Sequence, residues 1–167
     1  ACTDVQKWRN AGMENVRVSI NFSSVLVEHD AFINDVLSAL DKHDLPGSVL
    51  KVEITQNAIM NDMSSAIRKL RELANHEIKI AIDDFGTGYS SLSYLQQFPI
   101  NTLKIDKSFV SSINESEEAT LIVDAIVAMA KGLKLDLIAE GVETEPQLEY
   151  LKSLGCESIQ GYLFGKA

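Results

Sequence analysis

Two adjacent aspartates, Asp83 and Asp84, are the strongest chemical signal in this sequence. They end a stretch in which Ile78, Ile80 and Ile82 alternate as in a buried strand. Paired carboxylates at the end of a buried strand are unfavourable unless a cation or a proton shares the site. The pair therefore predicts a divalent-metal site at the carboxyl end of that strand.

Polar residues also lie at or near the ends of the other predicted strands. They are Asn21, Glu53, Lys104, Asp106, Glu140 and Gln160. Because strand side chains alternate between two faces, Asn21, Glu53 and Asp83 are expected on the face away from the packed helices. Polar groups at one end of the strands are typical of a barrel active site, whereas ordinary loop starts are the simpler alternative. Repetition over six strands favours the site.

The elements that must position these residues alternate along the chain. Strands are predicted at 17–21, 50–55, 102–106, 135–139 and 158–160, in addition to the run that ends at Asp83. Helices are predicted at 1–12, 31–42, 63–74, 117–131 and 144–154, and a further short helix ends near Phe98. This order predicts an α/β protein with a parallel sheet, as an open doubly wound sheet or a TIM-type barrel.

Three finer expectations concern the helices. Thr144 and Gln147 have the spacing of a capping box. Trp8 is expected in the core. The helix at 117–131 is expected to bury Leu121, Ile122, Ala125, Ile126 and Met129.

Charge and cysteine content limit the possible partners. The net charge is −9, from 15 basic and 24 acidic side chains, which argues against binding of a nucleic-acid polymer. A small anionic substrate fits if metal ions supply positive charge. Cys2 and Cys156 form no metal or redox motif, so a reducing, cytoplasmic location is expected. No apolar stretch approaches the ~20 residues of a membrane span, so no membrane contact by this domain is expected.

A dinucleotide site is a weaker interpretation of the glycines after the aspartates. Gly86 and Gly88 resemble part of GxGxxG, and Asp106 follows about twenty residues later, as that fingerprint requires. The third glycine is absent, and Asp83 and Asp84 would repel a pyrophosphate at that position. The dinucleotide interpretation is therefore disfavoured.

Six ordered blocks cover most of the chain. They are SINFS (19–23), EITQ (53–56), DDFGTGYSSL (83–92), LKIDKSFV (103–110), AEGVET (139–144) and QGYLF (160–164). Together they resemble the EAL-domain cyclic-di-GMP phosphodiesterases of bacteria. The resemblance implies a modified parallel (β/α) TIM barrel. It also implies hydrolysis of one phosphodiester of cyclic di-GMP to linear pGpG, with Mg²⁺ or Mn²⁺ in a two-metal site.

The resemblance assigns metal ligands. Asn21, Glu53 and Asp83 would bind the first metal. Asp83 would bridge to the second metal, which Asp84 and Glu140 would complete directly or through water, and Glu140 is also expected to be catalytic. Hard cations prefer such oxygen ligands, and a bridging carboxylate suits a two-metal displacement.

The resemblance assigns the other roles as follows. Lys104 would orient or help to deprotonate the attacking water. Asp106 and Gln160 would contact the nucleotide, and Glu143 would brace the loops over the site. Gln56 stands where the family usually has a second Glu that tethers the following loop. A neutral Gln can hydrogen-bond there but cannot supply the charge.

The sequence also departs from the family pattern. The naming motif, Glu-Ala-Leu followed two residues later by Arg, does not occur in the 167 residues. With it a ligand Glu and a substrate-contacting Arg are missing, so the metal site is expected to be incomplete. A TIM barrel usually needs about 250 residues. We therefore expect residues 1–167 to form a partial EAL domain of about six βα units. Its exposed barrel edge favours a homo-oligomer.

Two function classes follow from these observations. The first is a metal-dependent phosphodiesterase, with little or no activity in this chain because loss of a metal-binding Glu would misplace the nucleophile, and positioning supplies much of the rate. The second is a catalytically degenerate cyclic-di-GMP receptor or protein-interaction module. The retained metal-binding and water-handling residues favour descent from an enzyme.

Overall fold

The computed structural model describes residues 1–22, 31–60, 62–86, 95–113, 115 and 117–165. The chain forms two compact units. The first contains the described residues of 1–81 and 92–100, and the second contains those of 82–91 and 101–167.

The first unit packs helices against parallel strands. Its elements are α1 (Cys2–Asn10), β1 (Val18–Phe22), α2 (Phe32–Lys42), a 3-10 turn (Gly47–Val49), β2 (Leu50–Thr55), α3 (Gln56–Met60), α4 (Met63–Asn75) and the start of β3 (Lys79–Phe85). Strands β1 and β2 are parallel, and their register places Asn21 opposite Glu53. Val52 and Ile54 are fully buried in this unit, as are Leu73 and Ile80. Asn21 and Glu53 therefore lie side by side on neighbouring strands of a unit with an apolar core.

Helix α4 shows how the sequence determines these elements. Asp62 precedes the helix, and its Oδ1 accepts a hydrogen bond of 3.1 Å from the backbone N–H of Ser65. Ala66, Leu70 and Leu73 follow at helical spacing and are buried. The cap and the apolar stripe together fix where α4 begins and which face it buries.

The second unit contains the end of β3 and the following elements. These are β4 (Thr102–Ile105), α5 (Lys107–Ser111), α6 (Glu117–Gly132), β5 (Asp136–Glu140), α7 (Glu145–Ser153) and β6 (Ser158–Gln160). Strand β5 pairs in parallel with β4 and with β6, so Lys104 lies opposite Ile138 and Glu140 lies opposite Gln160. Because parallel strands point the same way, the polar ends of β4, β5 and β6 lie at one edge.

The predicted elements agree with the structure to within about two residues at most ends. The short helices α3 and α5 were not predicted, because five residues are too few to show a helical period. Most of the predicted short helix that ends near Phe98 lies within 87–94, outside the described residues. Among the described helices, none has the length and apolar character needed to cross a membrane.

The expected buried face of α6 was wrong in part. Leu121 is 62% exposed, Ile122 and Ala125 are also exposed, and Met129 is only half-buried. The buried residues of α6 are Val123, Ile126, Val127 and Ala130. Apolar residues occupy more than one stripe of this helix, so periodicity alone could not select the buried one. Trp8 is likewise 41% exposed on α1 rather than in the core.

Candidate active site

Lys104 is the most buried charged residue of the candidate site. Its side chain is 6% exposed, and its Nζ donates to Asp83 Oδ1 at 3.0 Å and to Glu140 Oε1 at 2.8 Å. A buried ammonium is tolerated only where it is paired and hydrogen-bonded. Strands β3, β4 and β5 each contribute one member, so Lys104 joins three strand ends into one charged cluster.

The backbone at Asp84 explains how two consecutive aspartates serve the same site. Strict alternation would send their side chains to opposite faces. Asp84 has a φ of 52°, in the left-handed region that aspartate tolerates better than most residues. One carboxylate oxygen each from Asp83, Asp84 and Glu140 lie within 4.8 Å of one another. The strand thus leaves its regular conformation where the second carboxylate joins the cluster.

Asp84 and Asp106 form a hydrogen-bonded pair of carboxyl groups with opposite pKa shifts. Burial raises the pKa of Asp84, and the negative charge of Asp83 and the hydrogen bond to Asp106 raise it further. Burial would also raise the pKa of Asp106, but hydrogen bonds from Ser108 outweigh it and the net pKa is lowered. Asp106 Oδ1 accepts from the Ser108 backbone N–H at 2.9 Å and from its hydroxyl group. Of the two carboxyl groups, Asp84 is therefore the one that takes up a proton first as the pH falls.

A cavity of about 410 Å³ lies beside the cluster. Its lining residues are Asp84, Asp106, Lys107, Glu140, Gly141, Glu143, Gln160, Gly161 and Tyr162. The volume suits a small-molecule ligand. The lining combines carboxylates with one amide and one exposed aromatic ring, so it offers metal-binding, hydrogen-bonding and stacking groups together.

The loop after β5 is fixed by the buried side chain of Gln147. Its Oε1 accepts from the backbone N–H groups of Glu143 at 2.9 Å and Thr144 at 3.1 Å. Its Nε2 donates to the Ser111 carbonyl at 3.4 Å. The predicted capping box of Thr144 and Gln147 is confirmed. The added contacts to Glu143 and Ser111 connect the cavity loop with the end of α5.

The second unit brings most of the predicted site residues together. Those lining the cavity are Asp84, Asp106, Glu140, Glu143 and Gln160. Asp83 and Lys104 are tied to Glu140.

The other predicted residues lie in the first unit. Asn21 is exposed at the end of β1, while Glu53 in β2 and Gln56 at the start of α3 are buried. The roles expected for Asn21, Glu53 and Gln56 stay predictions.

Three side chains of the site were not predicted. Lys107 and Tyr162 line the cavity, and Gln147 supports its loop. Lys107 directly follows Asp106, and Tyr162 lies two residues after Gln160. Both residues lie in the sequence blocks LKIDKSFV and QGYLF, which could have indicated them. Side-chain alternation could not, because it does not extend beyond the strand ends.

Curated proteins with related sequences include two from Pseudomonas aeruginosa. The bifunctional diguanylate cyclase/cyclic di-GMP phosphodiesterase MucR is 40% identical over 166 residues, which are 99% of this chain and 24% of MucR. The cyclic di-GMP phosphodiesterase NbdA is 40% identical over 166 residues, 99% of this chain and 21% of NbdA. The chain thus spans less than a quarter of the length of either relative.

Solved structures give the same result. A PaMucR phosphodiesterase complex with c-di-GMP has a TM-score of 0.95 and 40% identity, over 99% of this chain and 67% of that chain. The EAL domain of Mycobacterium smegmatis DcpA has a TM-score of 0.92 and 39% identity, over 99% and 75%. A manganese/cy-diGMP complex of Klebsiella pneumoniae BlrP1 has a TM-score of 0.86 and 28% identity, over 99% and 42%.

These likenesses confirm the expected fold class, the parallel (β/α) barrel-like fold of EAL domains. The sequence profile named EAL domain matches residues 1–167. The resemblance inferred from the six sequence blocks is therefore confirmed, and the chain belongs to the EAL domain family.

Proposed function

We propose that this chain carries a phosphodiesterase site that hydrolyses cyclic di-GMP to linear pGpG with divalent metal ions. The observation that carries the proposal is the cluster in which Lys104 joins Asp83 and Glu140, with Asp84 beside them. The phosphodiesterase relatives MucR and NbdA support the substrate and the reaction.

The residues present fit divalent metal ions. Asp83, Asp84 and Glu140 offer only hard oxygen donors, which suit Mg²⁺ or Mn²⁺. Three carboxylates surround the single ammonium of Lys104, so further positive charge is favourable at this point. When bound, the cations would offset charge on the phosphodiester and lower the pKa of a coordinated water.

The chain's own residues would orient the reaction. Lys104 holds the carboxylates of Asp83 and Glu140 through its two ion pairs, and we assign it the orientation of the attacking water. The water oxygen forms a bond to phosphorus, the bond from phosphorus to the 3′ oxygen breaks, and that oxygen takes up a proton. One water molecule is consumed, and the product is linear pGpG. Holding the reactants in place supplies much of such a rate.

Nucleotide contacts are proposed for two further cavity residues. Gln160 ends β6 opposite Glu140 and lines the cavity. Its amide offers both donor and acceptor atoms, as recognition of a purine edge requires. Asp106 is an acceptor because its pKa is lowered. Glu143 is proposed to brace the loop that Gln147 holds.

A cyclic-di-GMP receptor without turnover is the second candidate. It is favoured by Gln56, a buried neutral residue where the family usually has an acidic one. Loss of that charge would leave ligand binding in place while impairing the arrangement needed for catalysis.

A hydrolysis assay with Mn²⁺ or Mg²⁺, beside a cyclic di-GMP binding titration, separates these candidates. Turnover to pGpG that is lost in Asp83→Asn and kept in the exposed control Asp136→Asn would establish the enzyme. Binding without turnover would establish the receptor. If the chain neither binds nor hydrolyses cyclic di-GMP, both candidates are rejected. The variants Asn21→Ala and Glu53→Gln test the expected first-metal ligands in the same assay.

Two expectations about the whole protein stay proposals. A homo-oligomer is tested by light scattering during size-exclusion chromatography, where a monomer mass would contradict it. Cytoplasmic location is tested by fractionation of cells that express the tagged protein. Residues 1–167 as a partial EAL domain likewise stay a prediction.

A further inference from the structure

Lys107 is a cavity residue that has no role in the proposed chemistry. It is the first residue of α5 and directly follows Asp106. Among the described residues that line the cavity, Lys107 is the only cation, whereas Asp84, Asp106 and Glu140 are acidic, together with Glu143.

The base of the Lys107 side chain packs against the loop after β5. Gly141 has a φ of 71°, and a Cβ added there would lie 2.5 Å from Lys107 Cβ and 3.3 Å from Lys107 Cα. Any larger residue at 141 would therefore displace Lys107 or the loop. The missing side chain of Gly141 thus lets Lys107 lie beside the backbone that joins Glu140 to Glu143.

The negative charge of a cyclic dinucleotide suggests a role for the ammonium group of Lys107. A cyclic dinucleotide has two phosphodiesters, each with one negative charge, and both must enter a cavity lined by four carboxylates. Cations held by Asp83, Asp84 and Glu140 would balance the phosphate that reacts. The other phosphate still meets an acidic lining, and Lys107 is the cation among the described lining residues that can donate to it. An ammonium is a common phosphate ligand in proteins.

We infer that Lys107 is a substrate-binding residue whose Nζ donates to a non-bridging phosphate oxygen of the cyclic dinucleotide. This inference rests on the proposed function. The competing role is purely local, in which the ammonium only offsets the charge of Asp106.

The test is an equilibrium titration of cyclic di-GMP in the presence of Ca²⁺, a cation with which the related BlrP1 forms a cy-diGMP complex. Lys107→Met keeps the apolar stem and removes the charge, and Lys107→Arg keeps the charge. Lys152→Met, on the exposed surface of α7, makes the same charge change outside the cavity. Circular dichroism checks that each variant is folded.

We expect Lys107→Met to weaken binding by about 3- to 10-fold, the range for a partly exposed charged contact. Lys107→Arg should stay within about twofold, and Lys152→Met should be unchanged. The slope of log affinity against log salt should become shallower by up to about one in Lys107→Met, because one phosphate contact is lost.

Each other outcome has a definite meaning. If Lys107→Met binds like the unsubstituted chain with the same salt dependence, the inference is wrong and the proposed function stands. If Lys152→Met loses as much affinity, the effect is one of net charge and the inference is again wrong. If the unsubstituted chain does not bind cyclic di-GMP, the proposed function fails and the inference fails with it.

Discussion

Asp84 is the residue of the cluster whose ionised form is unfavourable for folding. The pKa of Asp84 is raised because the carboxyl is partly buried and lies near the charge of Asp83. A carboxyl whose pKa is raised on folding stabilises the fold while it is protonated, and that contribution is lost as the pH rises through the folded pKa. At neutral pH, without a cation, the ionised Asp84 therefore opposes folding.

Asp84→Asn is accordingly expected to stabilise the metal-free chain near neutral pH, by up to about 1 kcal/mol. Asparagine also tolerates a positive φ, so the backbone at 84 keeps its conformation. The gain should disappear as the pH falls below the ordinary range of aspartate, where Asp84 is protonated in both states. Urea denaturation at several pH values measures it, with Asp136→Asn as an exposed control. A gain independent of pH would contradict this account.

Lys104 has the opposite effect on stability, because it pairs with two carboxylates. The proposed chemistry also requires it. Lys104→Met leaves Asp83 and Glu140 close together without their shared cation. We expect the free energy of unfolding to fall by about 2 kcal/mol, less than for a fully buried pair because both carboxylates are partly exposed. Hydrolysis should fall at least about 100-fold. Urea denaturation and the pGpG assay check both values, and Lys152→Met is the matched control. A fully active variant would remove Lys104 from the proposed mechanism.

At the scale of elements, the loop between β5 and α7 depends on Gln147. Its three hydrogen bonds hold Glu143, Thr144 and Ser111 in place. Gln147→Leu should lower the free energy of unfolding by about 2 kcal/mol, since buried polar groups lose their partners. It should also lower kcat by about 10-fold with a smaller change in KM, because loop placement affects the reacting arrangement more than binding.

The conservative variant distinguishes this positioning role from helix capping alone. Gln147→Glu keeps the oxygen that accepts from Glu143 and Thr144 but cannot donate to Ser111. It should recover most of the kcat that Gln147→Leu loses. The exposed Glu149→Leu in the same helix should leave both stability and kcat near their original values. If Gln147→Leu lowered the free energy of unfolding as expected but left kcat unchanged, the role of Gln147 would be structural only.

How far the sequence predicted these elements depends on their length and packing. Strands β2 and β6 agree at both ends with the predicted ranges, because alternation and flanking turn residues bound them. Helix α5 is five residues long and shows no period, so a helix that begins at Lys107 could not be predicted. The buried face of α6 was missed at Leu121 and Ile122, since only tertiary packing selects among several apolar stripes. The positive φ of Asp84 could not be predicted either, because it depends on the local fold and not on a sequence period.

At the scale of the whole molecule, metal binding and folding are expected to be linked. Asp83, Asp84 and Glu140 lie together only in the folded chain, so a cation that binds them stabilises the native state. At a concentration 100 times its Kd, Mn²⁺ should add about 2.7 kcal/mol to the free energy of unfolding. The net charge of −9 means that any salt will also stabilise the fold by screening, so KCl of equal ionic strength is the necessary control.

Tryptophan fluorescence and far-UV circular dichroism together test whether Mn²⁺ binding stabilises both units. Trp8, the single tryptophan, lies in the first unit, whereas the three carboxylates lie in the second. Strand β3 begins in the first unit and ends in the second, so unfolding of either unit disturbs it. We therefore expect the fluorescence and far-UV circular dichroism transitions to coincide and to shift together when Mn²⁺ is added. Asp83→Asn should remove most of the shift. If Mn²⁺ moved only the circular dichroism transition, the units would unfold separately, and an equal shift in Asp83→Asn would place the cation elsewhere.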